Sequence, residues 1–140
     1  MLKILFIASL VLNFTSVDRE FKYDCNYQSN INTLEVMLEE ASTAEQRAEV
    51  LWRLSRSYLM LGELEEDKEG KRIYFNKGID YASQGIEEDP TNIQCYMWHC
   101  ANVGRECQTH SLMDQAAAVP VMTEDLTKIL DELDHPEFSE

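Results

Sequence analysis

A chain of 140 residues can bury one modest core, so it forms a single domain or a few stacked repeats. It carries 12 basic against 26 acidic side chains, a formal net charge of −14. Such a surface repels phosphate, which disfavours binding to nucleic acid or to an anionic membrane. Three prolines and five glycines leave room for long helices.

The first 16 residues differ in kind from the rest. Lys3 precedes an unbroken apolar run from Ile4 to Leu12, which is too short to span a bilayer. This pattern predicts a signal peptide over residues 1–16 and an extracytoplasmic location, in the periplasm or cell envelope. A linker over residues 17–29 and a helical domain over residues 30–140 would follow. The alternative is that the apolar run forms a buried first helix or strand.

An exported chain would carry its four cysteines into an oxidising compartment, where disulfides persist. Cys95 and Cys100 would diverge on one helix, which favours a bond from Cys25 to one of the later three, Cys107 included. Buried free thiols are the equal alternative.

Apolar residues follow a helical spacing from about residue 30 onwards, which predicts a first amphipathic helix there. Thr43 then begins a capping box with Gln46, and Ser42 begins an overlapping one. These boxes predict a new helix that ends at Gly62.

Further helices follow towards the C-terminus. Residues 63–72 are densely charged and indicate an exposed connection or a helix extension. A helix over 73–88 would turn six residues inward, namely Ile73, Gly78, Tyr81, Ala82, Gly85 and Ile86. Pro90 stops that helix, because the residue before a proline is pushed out of the helical region. Two more helices are predicted over 93–104 and 121–133. No β-type alternation of useful length is present, so the predicted fold class is all-α.

Two segments resemble the tetratricopeptide repeat, a helical hairpin. The stretch from Ala48 to Gly62 resembles its first helix, with a Leu, a small residue, a Tyr and a Gly at the family's offsets. The stretch from Gly78 to Pro90 resembles its second helix and terminal Asp-Pro. The resemblance implies tetratricopeptide-like helical hairpins stacked in a short solenoid, whose first helices line a concave surface. The spacing between the repeats is longer than usual, which counts against a regular array.

Three motifs narrow the resemblance. They are Trp52-Arg53-Leu54-Ser55-Arg56, Phe75-Asn76-Lys77-Gly78-Ile79-Asp80-Tyr81-Ala82 and Trp98-His99-Cys100-Ala101-Asn102-Val103-Gly104-Arg105. Together they resemble the T component of bacterial TRAP transporters and the related regulator-of-microtubule-dynamics proteins. The predicted signal peptide favours the bacterial branch. The resemblance then implies two partners, a substrate-binding protein and a small amphipathic ligand.

The implied concave groove supplies the candidate binding residues. They are Trp52, Arg56, Met60, Met97, Trp98, Asn102 and Arg105. Two tryptophans, two methionines and two arginines in one groove suit an amphipathic ligand or a peptide with an acidic end. The alternative for each tryptophan is a place in the core, where aromatic residues at helical spacing are more often found.

Cysteine and histidine form a second constellation, made of Cys95, His99, Cys100, Cys107 and His110, of which Cys95, His99, Cys107 and His110 are the candidate metal ligands. Both residue types ligate zinc, and the first two share a helix face. A metal-binding or thiol-active protein is therefore one alternative, although no paired CxxC motif is present. The chain lacks a glycine-rich phosphate loop, a GxSxG elbow and an HExxH motif. We therefore expect neither enzymatic activity nor a cofactor.

The sequence thus predicts an extracytoplasmic binding protein related to the TRAP T component. A generic protein–protein interaction scaffold without a small-molecule ligand is the first alternative. The helical array ends where such proteins begin another hairpin, and an uncovered apolar edge of a repeat stack needs a cap or a partner. A homodimer through this C-terminal edge is a further expectation.

Overall fold

The structure, a computed structural model, describes residues 12–133, and within that range its regular elements are all helical. They are α1 (Thr15–Arg19), a π-helical turn (Glu20–Asp24), α2 (Tyr27–Glu40), α3 (Ala44–Leu64), α4 (Lys68–Glu88), α5 (Ile93–Cys107), α6 (Leu112–Gln115) and α7 (Ala118–Leu133). The predicted all-α class is confirmed. None of the described helices has both the length and the apolar character needed to cross a membrane.

Side-chain caps begin the long helices. At α3, Gln46 N donates to Thr43 Oγ1 over 3.1 Å, and Ser42 N donates to Gln46 Oε1 over 2.9 Å. Thr43 therefore caps α3 as predicted, whereas the Gln46 side chain accepts from Ser42 N, one residue before the position that a capping box uses. At α4, Gly70 N donates to Asp67 Oδ2 over 2.9 Å. This cap starts α4 at Lys68, so most of the charged segment 63–72 is helical.

The inward face of α4 differs from the prediction at Ile73, which is 59% exposed. Phe75 is buried in its place, because α4 turns Phe75, Gly78 and Ala82 towards its neighbours at spacings of three and four residues. The Phe75 ring lies against Gly62 of α3, where a Cβ would come within 2.4 Å of Cε1. Gly62 therefore allows the close approach of α3 and α4, and α3 continues for two more residues.

Each long helix packs against the next, and α5 also packs on α3. One core cluster joins α1, α2 and α3, and it consists of Val17, Ile31, Leu34, Met37, Val50, Leu54 and Tyr58. A smaller cluster of Ala48, Trp52 and Cys95 joins α3 to α5. A buried polar contact crosses three helices, because Ser55 Oγ donates to Gly78 O over 2.7 Å while Asn102 Nδ2 donates to Ser55 Oγ over 3.0 Å. Successive helices thus form a short stack.

The segment expected to be a linker, residues 17–29, is instead part of this packed structure. It contains the end of α1, the π-helical turn and the start of α2. Val17 is buried, and its carbonyl accepts a hydrogen bond of 2.7 Å from Asn30 Nδ2. Ser57 Oγ donates to Asn30 Oδ1 over 2.7 Å, which ties the segment to α3 as well. Most of the predicted signal peptide, residues 1–11, lies outside the described residues.

Candidate functional site

The N-terminal segment covers the face of α3 that carries Trp52 and Arg56. The guanidinium carbon of Arg53 lies 3.9 Å from the centre of the Phe14 ring and 4.1 Å from that of Trp52. The Arg56 guanidinium lies 3.7 Å from the Phe21 ring. Each cation therefore has an aromatic face from the N-terminal segment above it, an arrangement that strengthens when water is excluded.

Asp18 of α1 completes this layer. Its carboxylate accepts two bonds of 2.9 Å from Arg53 and one of 2.9 Å from Arg56. Burial raises the pKa of Asp18, but the bonds to the two arginines outweigh burial and hold the pKa below its ordinary value. Burial lowers the pKa of Arg56, which the Asp18 carboxylate partly offsets. Arg53 and Arg56 are therefore already paired with groups of the same chain.

The two predicted tryptophans do come together, but as packing rather than as walls of an opening. Trp52 is 7% exposed, and its Nε1 donates to Glu49 Oε2 over 3.0 Å. Trp98 packs against the cluster that contains Trp52 and Cys95. Asn102 is fully buried between helices, and Met60 is half-buried on α3. The structure thus separates these residues from the last two candidates, Met97 and Arg105.

Met97 and Arg105 line an open groove of about 350 Å³ between α5 and α7. We call it the α5–α7 groove, and it is lined by Met97, Cys100, Ala101, Gly104, Arg105, Gln108, Met122, Leu126 and Ile129. Met97 is 44% exposed. Arg105 reaches across the end of the groove to Glu63, with Nε 2.8 Å from Oε1. The floor is apolar, which suits a protein or ligand surface of the same kind.

An exposed apolar stripe on α7 extends the groove. It consists of Val119, Leu126, Leu130 and Leu133, each of them exposed. Leu112 and Met113 of α6 are exposed beside α7. Large contiguous patches of exposed apolar surface mark interaction sites. Met122, Leu126 and Ile129 were not among the predicted site residues, although their spacing of three and four residues is a signal for an apolar face.

A hydrogen-bonding contact between two largely buried side chains holds α7 on α5. His99 Nδ1 lies 2.6 Å from Asp125 Oδ2, and among the residues of α7 Asp125 is the buried one. Burial raises the pKa of Cys100, and the negative charge of Asp125 adds to this effect. The same helix thus docks by a polar contact on one side and leaves its apolar side open.

The cysteine and histidine residues do not converge on a metal. Cys95 packs against Ala48 O, whereas His99 pairs with Asp125. His110 pairs with Glu106 of its own helical end. Over residues 12–133, no group of three or more cysteine, histidine, aspartate or glutamate side chains is arranged to hold a metal ion.

The four cysteines are all free thiols, so no disulfide from Cys25 is formed. Burial, followed by the charges of Glu49 and Asp89, raises the pKa of Cys95 to about 12. A thiol with such a pKa is almost wholly protonated near neutral pH and is a poor nucleophile.

Comparison with known proteins assigns the family. Residues 14–133 match the family model described as regulator of microtubule dynamics protein 1-3. The chain belongs to this family. It is 34% identical to regulator of microtubule dynamics protein 3 of Bos taurus over 59 residues, which are 42% of this chain and 12% of that protein. No solved structure matches the chain.

Two mouse proteins are also similar. Regulator of microtubule dynamics protein 3 of Mus musculus is 29% identical over 59 residues, 42% of this chain and 13% of that protein. Regulator of microtubule dynamics protein 2 of Mus musculus is 23% identical over 90 residues, 64% of this chain and 22% of that protein. The chain therefore matches less than a quarter of each relative's length.

These findings correct the functional prediction. The assignment to the TRAP transporter T component is wrong, because the family model and the relatives are regulators of microtubule dynamics. The periplasmic or other extracytoplasmic location depended on the bacterial branch and is wrong for the same reason. The substrate-binding protein was expected as a partner only because of the TRAP resemblance, so that expectation is wrong as well. The other half of the resemblance, to regulators of microtubule dynamics, is confirmed.

Proposed function

We propose that this chain is an interaction scaffold in the regulation of microtubule dynamics, and that it holds a protein partner on the α5–α7 groove. The main support is the open apolar groove of about 350 Å³, which the exposed apolar stripe of α7 extends. The relatives' names supply the process, and the alternative of a scaffold without a small-molecule ligand supplies the mode of action.

Two other parts of the described surface support this choice of site. The α3 face that was expected to bind an amphipathic ligand is filled by Phe14, Asp18 and Phe21 of the same chain. The pocket at the α3–α4 turn, of about 330 Å³, is lined by opposite charges that partly satisfy each other. For example, Arg105 Nε lies 2.8 Å from Glu63 Oε1, and both residues line that pocket. The α5–α7 groove lacks such internal compensation along its apolar floor.

The finer architecture also belongs to the proposal. Helices α3 and α4 form one tetratricopeptide-like hairpin, and α5 with α7 forms a second one interrupted by the short α6. Gly78 and Gly85 support this assignment, because small residues on a second helix let the next first helix approach closely. Such a stack acts through surface complementarity, so we keep the expectation that it needs neither a cofactor nor catalytic groups.

The test measures microtubule growth in a cytosolic extract supplemented with purified chain. We expect the unaltered chain to change growth or catastrophe rates, and the double variant Leu126→Gln/Leu130→Gln to lose most of that effect. Val36→Gln is the matched control, because Val36 is 55% exposed on α2, away from the groove. An unaltered chain without effect, or a double variant as effective as the control, contradicts the proposed function.

A further inference from the structure

The α5–α7 groove is equivalent to the groove between α3 and α4, which α5 already fills. Helix α5 lies against both α3 and α4. It approaches so closely that a Cβ on Gly85 would lie 2.6 Å from Cys95 Sγ, and one on Gly78 would lie 2.3 Å from Asn102 Oδ1. The next groove along the stack lies between α5 and α7, and no described helix covers it. By the same geometry, its natural occupant is an α-helix.

The lining of the groove specifies one face of that helix. Met97 and Met122 have flexible thioether side chains that adapt to an incoming side chain, and Leu126 in the same lining is 50% exposed. Ala101 and Gly104 leave room on the α5 side. A helix with apolar residues at positions i, i+3, i+4 and i+7 fills such a groove.

The charge of the chain specifies the other face. The formal net charge is −14, and α7 itself carries four acidic residues against one basic residue, Lys128. The cation at the groove, Arg105, is already paired with Glu63. A second copy would bring another −14 to the contact, whereas a basic helix gains from long-range attraction and complementary contacts.

We propose that the α5–α7 groove binds a cationic amphipathic helix of a partner protein, seated as the next helix of the stack. This inference rests on the proposed function, since it names the chemistry of the partner at the same site. The apolar face of the helix contacts Met97, Met122 and Leu126, and its basic residues face the acidic surroundings.

The test uses three fluorescent synthetic peptides of about 18 residues, a length that allows partial helicity in isolation. The first has leucines at helical spacing and lysines elsewhere. The second has the same composition in scrambled order, and the third replaces each lysine by glutamate. We expect only the first to bind the full chain in fluorescence anisotropy, and its affinity to weaken as salt is added.

Variants of the chain locate the site. Leu126→Gln/Leu130→Gln should weaken binding about tenfold or more, because each leucine loses buried apolar area. Val36→Gln, which changes an exposed residue of α2, should bind like the unaltered chain. Circular dichroism of both variants checks that the helical fold is retained.

Several outcomes overturn the inference. Equal binding of the scrambled peptide means that charge alone attracts the peptide, and tighter binding of the glutamate peptide reverses the charge argument. Unchanged binding by the Leu126/Leu130 variant moves the site elsewhere. A stable dimer in sedimentation that the same variant dissociates makes a second copy the occupant. Peptide binding without an effect on microtubule growth refutes the proposed function alone, and the reverse result refutes the cationic helix alone.

Discussion

Replacing Gly78 by alanine perturbs the closest approach between α4 and α5. A Cβ at this position would lie 2.3 Å from Asn102 Oδ1, 2.5 Å from its Cγ and 2.6 Å from its Nδ2. Real Cβ atoms do not come so near, so either the amide or one of the helices must move. The amide has little freedom, because Asn102 is fully buried and Nδ2 donates to Ser55 Oγ over 3.0 Å and to Trp98 O over 2.9 Å.

The expected magnitude follows from three effects. Overpacking a close-packed contact typically costs about 1–3 kcal/mol. Displacing the amide weakens two hydrogen bonds, each of which contributes about 1 kcal/mol net. Alanine in a helix interior is favoured over glycine by about 1 kcal/mol, which offsets part of the loss. We therefore expect Gly78→Ala to lower the free energy of unfolding by about 2 kcal/mol.

Gly104→Ala is the matched control on α5. A Cβ there would lie 3.2 Å from Met122 Cε, the far end of a flexible side chain that can turn away. The helix preference for alanine then dominates, and we expect the free energy of unfolding to stay the same or to rise by up to about 1 kcal/mol.

Urea unfolding followed by circular dichroism measures both variants. Asn102→Ala removes the obstructing amide, so the double variant Gly78→Ala/Asn102→Ala should be more stable than the sum of the two single losses predicts. Equal stability of Gly78→Ala and Gly104→Ala would refute the close approach of α4 and α5 at this point.

Four further outcomes are expected. Asp18→Asn should lower the free energy of unfolding by about 1–2 kcal/mol in urea, because Arg56 loses its counter-charge and Arg53 keeps only Glu49, while solvent screening of the part-exposed Asp18 carboxylate limits the loss. The exposed change Glu69→Gln should cost under about 0.5 kcal/mol. The pKa of Asp18 is lowered in the folded state, so its contribution to the free energy of unfolding is present above the ordinary carboxyl pKa and is lost as pH falls through the folded-state pKa. The stability difference between the unaltered chain and Asp18→Asn should therefore shrink on acidification, and a constant difference contradicts this reasoning. Iodoacetamide near neutral pH should label exposed Cys25 but leave buried Cys95 unlabelled until urea unfolds the chain, as mass spectrometry would count. Asp125→Ala removes the contact with His99, so amide hydrogen exchange in α7 should speed up by at least about tenfold while exchange in the α3–α4 hairpin stays unchanged. A uniform change in exchange along the chain would argue against α7 docking through this side chain.

The sequence by itself determines where α3 and α5 begin, and its motifs narrow the family to two related groups. Helix starts depend on local chemistry, so the N-cap at Thr43 is visible without any tertiary contact. The motifs from Trp52 to Arg56 and from Trp98 to Arg105 carry the family resemblance in the same way. The choice between the two branches of that resemblance depended on the apolar N-terminus, and this choice was wrong.

Only the tertiary structure decides which faces are filled and which stay open. Periodicity shows that a helix has an apolar or cationic face, but it does not say what lies against that face. Arg56 is paired with Asp18, a residue 38 positions earlier, so the expected binding face of α3 is occupied from within the chain. On α7, Asp125 turns towards His99 and leaves Leu126 on the open side. The site therefore depends on the order in which helices stack, because long-range contacts decide which apolar face a neighbour covers.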